Sequence, residues 1–280
     1  MKFICIDGKI VSAGGPVLMH DNRSFRYGDG LFETMKMTEG RILLGKFHFE
    51  RLFNSLSLLG YSIPSSFTES LVENLVHELA IKNDCRSLCR IRLTVFRGNG
   101  NLFPVPAELN YIVECSPLKK TVNLLNEEGL TIGVFPDARK SCDRFSAIKS
   151  ANFLPYVLGT MYAEKNKLDD CVLLNTNGDL ADSTIANVFL VQENNISTPA
   201  LAEGCINGVM RRYLLEKFQE HRYSWTERKV SADELVTADE LFLTNSINGI
   251  RWVKKLGNKQ YNNTITRNIY KEFIEPIFAE

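Results

Sequence analysis

Apolar and polar residues alternate along much of the first part of the chain, and this pattern predicts a strand-rich start that also contains two helices. The pairs Asp7-Gly8 and Glu39-Gly40 separate short apolar runs, as turns between paired strands do. Apolar residues recur at helical spacing over 47–59 and 66–82, and Gly60 is placed to end the first helix. The strands predicted here are residues 3–6, 9–11, 31–37, 42–44, 91–95 and 111–115.

A polar, proline-marked stretch near 116–122 indicates a boundary between two domains. We therefore predict an N-terminal α+β domain over 1–116 and a larger domain over 122–280 that carries the chemistry. The second domain is predicted to contain strands 130–135, 171–174, 187–191 and 240–244 and helices 150–165, 208–220 and 264–278. Neither a Gly-x-Gly-x-x-Gly turn after a strand nor a Gly-x-x-x-x-Gly-Lys loop occurs, so dinucleotide and P-loop nucleotide binding are not supported.

Composition is that of a globular protein which folds throughout its length. Hydrophobic residues make up 44% and charged residues 24% of the 280 positions. The 33 basic side chains balance the 33 acidic ones, so no overall field attracts nucleic acid or anionic lipid. We expect neither nucleic acid nor a membrane as a partner.

Cysteine and histidine usage favours a reducing compartment and no metal. The seven cysteines are dispersed and include no Cys-x-x-Cys pair, which predicts reduced and mostly buried thiols. The first apolar run is far shorter than a signal-peptide core, and no run is long enough to span a bilayer, so we expect a cytoplasmic protein. The four histidines lie tens of residues apart, and we predict no metal site.

Three charged residues are candidates for chemistry, although each also has an ordinary interpretation. Lys149 comes just before an apolar helical pattern, where a lysine is most often solvated. Arg51 lies beside the apolar stripe of helix 47–59, from where its side chain reaches either the rim of a cleft or solvent. Asp182 precedes a predicted strand, where a carboxylate also serves as a turn or N-cap residue.

Two turns offer groups that bind phosphate. Residues 204–211 lead into a helix and contain Gly204 and Gly208, which let the backbone approach a ligand closely. Residues 244–249 follow an apolar strand and supply hydroxyl and amide donors. Considered singly, each of these is also an ordinary strand-to-helix turn.

Taken together and in order, these segments resemble the class IV aminotransferases, the fold-type IV enzymes that use pyridoxal 5'-phosphate (PLP). Residues 26–34 are similar to the N-terminal signature of that family, and residues 178–189 are similar to the segment with its cofactor-binding acidic residue. The resemblance implies a PLP-dependent enzyme with a two-domain α+β fold like that of D-amino acid aminotransferases. Such a fold has a smaller N-terminal α/β sandwich and a larger C-terminal β-barrel-like domain with helices.

The resemblance also implies a role for each candidate residue. Lys149 matches the Schiff-base lysine, and Asp182 matches the residue that faces the pyridine nitrogen, where the family usually has the longer Glu. The remaining implied contacts are Arg51 on the phosphate, Ile206 on one ring face, the Ile185 and Ala186 backbone on the other, the Val209 and Met210 N–H groups on the phosphate, and Asn245 and Ser246 in a second phosphate turn.

Within the family, three segments are most similar to the aminodeoxychorismate lyases, namely residues 149–153, 204–211 and 244–250. These enzymes release 4-aminobenzoate and pyruvate from 4-amino-4-deoxychorismate, a step of folate biosynthesis. A branched-chain or D-amino acid aminotransferase using 2-oxoglutarate is the alternative, and a PLP-binding protein without catalysis is a third. The resemblance further implies a small-molecule amino substrate and a homodimer. Arg97 and Arg92 are candidates for a substrate carboxylate, or are solvent-facing strand residues.

Overall fold

Antiparallel strands backed by helices form the first of two units in the computed structural model, which describes residues 1–105 and 108–279. Unit 1 comprises Met1–Lys120 and Ile148–Asn152, and unit 2 comprises Thr121–Ala147 and Phe153–Glu280. The elements of unit 1 are β1 (Phe3–Ile6), β2 (Lys9–Ser12), α1 (Arg23–Tyr27), β3 (Gly30–Thr38), β4 (Arg41–Ile42), α2 (Gly45–Leu58), α3 (Glu69–Lys82), β5 (Leu88–Phe96) and β6 (Asn110–Pro117).

The sheet of unit 1 has the strand order β2-β1-β6-β5-β3-β4, and one of its faces packs against α2 and α3. Alternate residues of β3, among them Leu31, Met35 and Met37, join one hydrophobic cluster with residues of α2 and α3 such as Leu52 and Val76. Both predicted helices and the predicted strands of this region are confirmed, except that the strand predicted over 42–44 is only β4, because Leu44 has a left-handed backbone and begins the turn into α2. The second helix begins at Glu69 because the Thr68 hydroxyl accepts the N–H of Leu71 and caps it.

Residues 148–152 group with unit 1, whereas the sequence analysis predicted Lys149 to lie in the C-terminal domain. The N–H of Phe32 donates to the Lys149 carbonyl at 2.9 Å, and the N–H of Ala151 donates to the Gly30 carbonyl at 2.8 Å. This short extended segment therefore pairs with the first residues of β3 before the chain returns to unit 2.

Unit 2 contains the larger number of elements. They are β7 (Leu130–Lys140), α4 (Leu154–Lys165), β8 (Asp170–Asn175), β9 (Leu180–Ser183), β10 (Asn187–Gln192), β11 (Asn195–Pro199), α5 (Val209–Glu220), β12 (Trp225–Arg228), α6 (Glu234–Thr237), β13 (Glu240–Asn245), β14 (Gly249–Leu256), β15 (Lys259–Gln260), α7 (Thr264–Ile269) and α8 (Glu275–Ala279). Short 3-10 turns span Lys120–Asn123 and Leu201–Glu203, and a π-helical turn spans Tyr270–Ile274.

Six strands of unit 2 close into a barrel. Their order is β10-β13-β14-β7-β8-β9, and β9 pairs back with β10 through Asp182 and Asn187. Alternate side chains from all six strands, including Ile132, Val172 and Leu241, form the inner hydrophobic cluster. The outer face packs on helices, as when Leu173 of β8 meets Tyr156 of α4.

A bulge in β9 decides which way Asp182 points. Leu180 pairs with Leu174 and Asp182 pairs with Leu173, so Ala181 is an extra residue in the ladder. The extra residue moves Asp182 to the outer face that Leu173 occupies, whereas strict alternation would have put it inside with Leu180.

Two predicted helices of unit 2 need correction. The helix predicted over 150–165 begins at Leu154, because residues 148–152 are extended and Pro155 favours the first helical turn. The helix predicted over 264–278 contains a π-helical turn, since Pro276 has no N–H to continue regular α-helical bonding. Among the described residues, no helix has the length and apolar character needed to cross a bilayer.

Candidate active site

Lys149 is fixed on both sides by main-chain and core contacts. Its carbonyl accepts from Phe32, Ser150 forms a bridge with Leu31, and Ile148 is buried in the unit 1 core. The Lys149 side chain is half-buried, and its Nζ lies 4.6 Å from the centroid of the Phe32 ring. Lys149 is therefore less exposed than a typical surface lysine.

Arg51 belongs to a buried cluster with Glu33 of β3 and His48 of α2. The Arg51 Nε donates to Glu33 Oε1 at 2.7 Å, and a terminal nitrogen donates to Oε2 at 2.6 Å. Burial by itself raises the pKa of Glu33, but Arg51 and His48 outweigh it and lower this pKa to about 2. Arg51 is only 7% exposed, so the alternative of a surface arginine is wrong.

His48 is a site residue that the sequence analysis did not single out. Its Nδ1 lies 2.6 Å from Glu33 Oε2, and within the described part of the chain its buried Nε2 has no hydrogen-bond partner. Burial is the main cause that lowers the His48 pKa; Glu33 opposes it, while Arg51 and Lys149 add to it. The sequence feature that could have identified His48 is its position three residues before Arg51, which puts both residues on the same helix face.

Asp182 is the centre of the corresponding cluster in unit 2. It is a strand residue, 2% exposed, so its possible roles as a turn or N-cap residue are excluded. Its Oδ1 accepts from the Asn187 amide at 3.0 Å. Its Oδ2 accepts from the Tyr156 hydroxyl at 2.8 Å and from the backbone N–H of Ile206 at 2.9 Å.

Lys140 completes this cluster. Its buried ammonium lies 3.4 Å from Asp182 Oδ2 and is also hydrogen-bonded to the Tyr156 hydroxyl. Burial, followed by the neighbouring Asp182, raises the pKa of Tyr156 well above its ordinary value, so Tyr156 remains a phenol that can donate. The sequence analysis missed Lys140 and Tyr156, since neither lies in a recognisable motif.

The turn before α5 brings backbone close to Asp182 and Asn187. Asn187 donates to the Ile206 carbonyl at 2.7 Å, while Ile206 donates to Asp182. A Cβ at Gly208 would collide with the Asn187 amide oxygen, so only glycine fits there without a shift. Gly208 is the N-cap of α5 and provides no side-chain cap, which leaves the first-turn N–H groups of Val209 and Met210 facing outward from the helix start.

The second predicted phosphate turn follows β13. Thr244 at its start pairs with Asn187, which links it to the Asp182 cluster through the sheet. Asn245 accepts the N–H groups of Ile247 at 3.0 Å and Asn248 at 2.9 Å, so its side chain shapes the turn. Ser246 is half-buried in the same turn.

Ile185 and Ala186 form the tight connection between β9 and β10. The N–H of Ser183 donates to the Ala186 carbonyl at 2.9 Å, and the Ile185 side chain is 60% exposed. Asp182, Ile206 and the connection at 185–186 therefore lie close together in unit 2, where β9 pairs with β10 and closes the barrel. The ring-face contacts implied for these residues remain predictions.

The two candidate substrate arginines differ in their contacts. Arg97 is buried, bonded to Asp29 and the Leu59 carbonyl, and stacked 4.1 Å from the Tyr61 ring centroid, so the structure gives it a structural role. Arg92 instead lies 3.8 Å from the centroid of Phe32, the ring that Lys149 also contacts.

Three cysteines of unit 1 form a cluster that the spacing did not predict. The Sγ atoms of Cys85, Cys89 and Cys115 lie within 4.8 Å of one another, a geometry that also suits a metal ion. Burial raises the pKa of Cys85 to about 12, and the Cys89 contact and burial raise that of Cys115 further. The absence of a resident metal stays our prediction. Cys142 is exposed and the other six cysteines are buried, with no disulfide among the described residues.

A helix-backed sheet and a closed six-stranded barrel define a two-unit α+β enzyme of the fold-type IV kind. The structure of a putative 4-amino-4-deoxychorismate lyase from Legionella pneumophila has this fold, with a TM-score of 0.83 and 26% identity over 93% of this chain and 95% of that chain. The predicted fold class is thus confirmed.

The amino-transferase class IV family model matches residues 30–256, and the chain therefore belongs to the class IV aminotransferases. A putative branched-chain-amino-acid aminotransferase of Methanocaldococcus jannaschii is 28% identical over 274 residues, covering 97% of this chain and 94% of that protein. An aminodeoxychorismate lyase of Vibrio harveyi is 28% identical over 232 residues, covering 82% and 83%. The chain is an enzyme of this PLP-dependent family.

The residues present fit PLP. Thr244 Oγ1 is buried and, among the residues described, has no hydrogen-bond partner, at the start of the second predicted phosphate turn. The uncapped start of α5 suits an anion, and the half-buried Lys149 supplies an amine. Unit 1 therefore supplies an amine for the aldehyde of PLP, and unit 2 supplies donors for its phosphate.

Proposed function

We propose that Lys149 is the covalent attachment point of PLP and that Arg51, Val209, Met210, Asn245 and Ser246 bind its phosphate. Its fixed main chain and its half-buried amine support this role for Lys149. The uncapped α5 start supports the phosphate role of Val209 and Met210. Asp182 faces the ring nitrogen in this proposal, with Ile206 and the 185–186 backbone on the ring faces.

We propose further that the reaction is the conversion of 4-amino-4-deoxychorismate to 4-aminobenzoate and pyruvate. The observation that carries this proposal is the 204–211 turn, whose Asn-Gly-x-Met-Arg pattern resembles the lyases. A Cβ at position 208 would collide with Asn187, so the glycine of this pattern fits the conformation of the turn. Similarity to lyases at 28% and 26% identity is consistent with the same reaction.

PLP, when bound, stabilises negative charge at the carbon that bears the substrate's amino group. The free amine of Lys149 would be the base that removes the proton from that carbon. Loss of enolpyruvate from the adjacent carbon then makes the ring aromatic, and the enolpyruvate takes up a proton to become pyruvate. No second amino acceptor is consumed.

Transamination is the second candidate, and the match to the archaeal branched-chain enzyme over 97% of this chain favours it. In that reaction Lys149 moves a proton between two carbons, and nitrogen passes from an amino acid to 2-oxoglutarate. The two reactions differ in whether a keto acid acceptor is needed.

A product assay separates these candidates. Purified enzyme loaded with PLP is given 4-amino-4-deoxychorismate alone, and separately leucine or D-alanine with 2-oxoglutarate. Formation of 4-aminobenzoate and pyruvate in equal amounts supports the lyase, whereas glutamate formation alone supports transamination. Lys149→Ala is the control, and borohydride reduction followed by peptide mapping identifies the attachment residue. An active, coloured Lys149→Ala variant contradicts both candidates.

We also propose a homodimer in the cytoplasm, acting on a small-molecule amino substrate. Family membership supports the small substrate, and the unpaired buried cysteines are consistent with a reducing compartment. Sedimentation of the purified chain tests the dimer, and a monomer at micromolar concentration contradicts it.

A further inference from the structure

The Asp182 carboxylate is held by more donors than its proposed role requires. Four groups from four separate segments converge on it: Lys140 of β7, Tyr156 of α4, Asn187 of β10 and the backbone N–H of Ile206. Three of the four contact Oδ2, whereas Oδ1 meets Asn187 alone among the described residues. A carboxylate oxygen has two acceptor positions, so Oδ1 keeps one for a further donor.

Lys140 differs from the other three donors because it carries charge. Its side chain is buried, and both of its described polar partners, Tyr156 and Asp182, belong to this cluster. The neighbouring Arg139 turns away and donates to the carbonyls of Phe135, Pro136 and Ala138. A buried ion pair adds little net stability, so the principal effect of the Lys140 ammonium falls on the charge and position of Asp182.

Tyr156 connects Lys140 to Asp182. The Lys140 ammonium donates to the phenol oxygen, and the phenol donates to Asp182 Oδ2. Its ring stacks on Phe153 with centroids 4.3 Å apart, which restricts the hydroxyl to this position. Lys140, Tyr156 and Asp182 thus form one hydrogen-bonded chain, which we name the Lys140 relay.

We propose that Lys140 is a positioning residue that acts through the Lys140 relay to hold the shorter Asp182 carboxylate correctly aimed at the ring nitrogen of the cofactor. This inference rests on the proposed PLP site. It assigns to Lys140 and Tyr156 the task of fixing an Asp in a place where the family usually has Glu. Neither residue touches the reacting carbon.

The test compares two cofactors that differ only at the ring nitrogen. Apo forms of the wild type, Lys140→Met and Lys140→Arg are titrated with PLP and with its 1-deaza analogue, which has a C–H group in place of that nitrogen. Dissociation constants are read from the protein-bound chromophore or from quenching of intrinsic fluorescence. Lys229→Met is the matched control, because Lys229 is exposed and pairs with Asp179 at 2.9 Å outside the relay.

We expect Lys140→Met to weaken PLP binding about tenfold or more, as loss of a charged hydrogen bond does. Binding of the deaza analogue should change less than about twofold, because the ring atom that Asp182 meets can no longer exchange a proton. Lys140→Arg retains a cation and should stay within about threefold of the wild type for both cofactors. Lys229→Met should bind both cofactors like the wild type.

An equal loss of affinity for both cofactors would show that Lys140 has only a structural role and would overturn the inference. If Lys140→Met does not fold, as judged by thermal unfolding of the apo protein, Lys140→Gln takes its place and is interpreted in the same way. Failure of wild-type enzyme to attach PLP at Lys149 would instead overturn the proposed function. The two failures are therefore distinguishable.

Discussion

Two buried carboxylates, Glu33 in unit 1 and Asp182 in unit 2, are held in different ways. Glu33 is gripped by the two nitrogens of one guanidinium, that of Arg51, and by a histidine. Asp182 is held mainly by neutral donors, with the Lys140 ammonium farther away at 3.4 Å. Both side chains are only 2% exposed, so burial does not account for the difference.

The comparison shows that the Glu33 carboxylate is already paired with a cation, whereas the Asp182 carboxylate can still interact with a ligand. A bidentate arginine pairs the Glu33 charge completely, which makes this carboxylate a structural partner that orients Arg51. Hydrogen-bonding dipoles fix Asp182 in space but balance its charge only in part. We infer that Glu33 mainly stabilises its unit and fixes Arg51 in place, and that Asp182 itself meets the cofactor. The following predictions test this division, beginning with the largest expected effect.

Replacing Glu33 by Gln should lower the free energy of unfolding by about 3–5 kcal/mol, because the buried Arg51 guanidinium loses its counter-ion. Urea unfolding at neutral pH measures the change. Glu78→Gln makes the same substitution in an exposed pair with Lys82, and should lower the unfolding free energy by less than about 0.5 kcal/mol. Similar small losses in both variants would contradict the structural role of Glu33.

Acid should weaken the Glu33 cluster within a defined pH range. The folded pKa of Glu33 is about 2 against an ordinary 4.5, so its contribution is complete above pH 4.5 and is lost as the pH falls towards 2. A shift of this size corresponds to on the order of 3 kcal/mol. Urea midpoints measured between pH 5 and pH 2 should fall less steeply for Glu33→Gln than for the wild type. Parallel slopes would show that Glu33 does not have this depressed pKa.

Asp182→Asn should cost about 2 kcal/mol of unfolding free energy, less than Glu33→Gln, since one charged and three neutral donors lose part of their acceptor. Its larger effect should be on PLP binding, because Asp182 is proposed to meet the cofactor directly, whereas Glu33 acts on the cofactor only through Arg51. Urea unfolding and cofactor titration together measure both effects. A stability loss equal to that of Glu33→Gln, with normal cofactor affinity, would contradict the proposed division.

Tyr156→Phe should have the smallest effect on stability, about 1 kcal/mol, because the hydroxyl loses its bonds with Asp182 and Lys140, but these two keep their direct contact and the stacking on Phe153 remains. Tyr261→Phe is a matched control that removes one buried hydroxyl, bonded to the Leu235 carbonyl at 2.6 Å. Both variants should lose similar stability in urea, but only Tyr156→Phe should weaken PLP binding. Equal cofactor affinity in the two variants would count against the Lys140 relay.

Sequence patterns were sufficient to predict those elements and residues whose contacts are made with neighbouring parts of the chain. Alternation over β3 and helical spacing over α2 placed Arg51 on a helix that packs against a strand, and a motif identified Lys149. Glu33 lies within residues 26–34, which resemble the N-terminal signature of the family. Its pairing with Arg51, however, depends on the packing of α2 on β3.

The features that were missed depend on pairing between distant segments. Strand β9 has only four residues, all buried, so no alternation marks it. The bulge at Ala181 then reverses the side of the barrel on which Asp182 lies. Lys140 and Tyr156 meet Asp182 only because β7, α4 and β9 come together, and residues 148–152 join unit 1 only through pairing with β3.

The pair formed by Asp182 and Asn187 is also the place where β9 meets β10 and the barrel closes. A breathing motion that parts these strands would withdraw the Asn187 amide from the carboxylate in the same event. Amide hydrogen exchange in β9 and β10 and release of a bound cofactor would then both depend on the separation of these two strands. A ligand that binds Asp182 would stabilise the pairing of β9 with β10. Its release would destabilise this part of the barrel first.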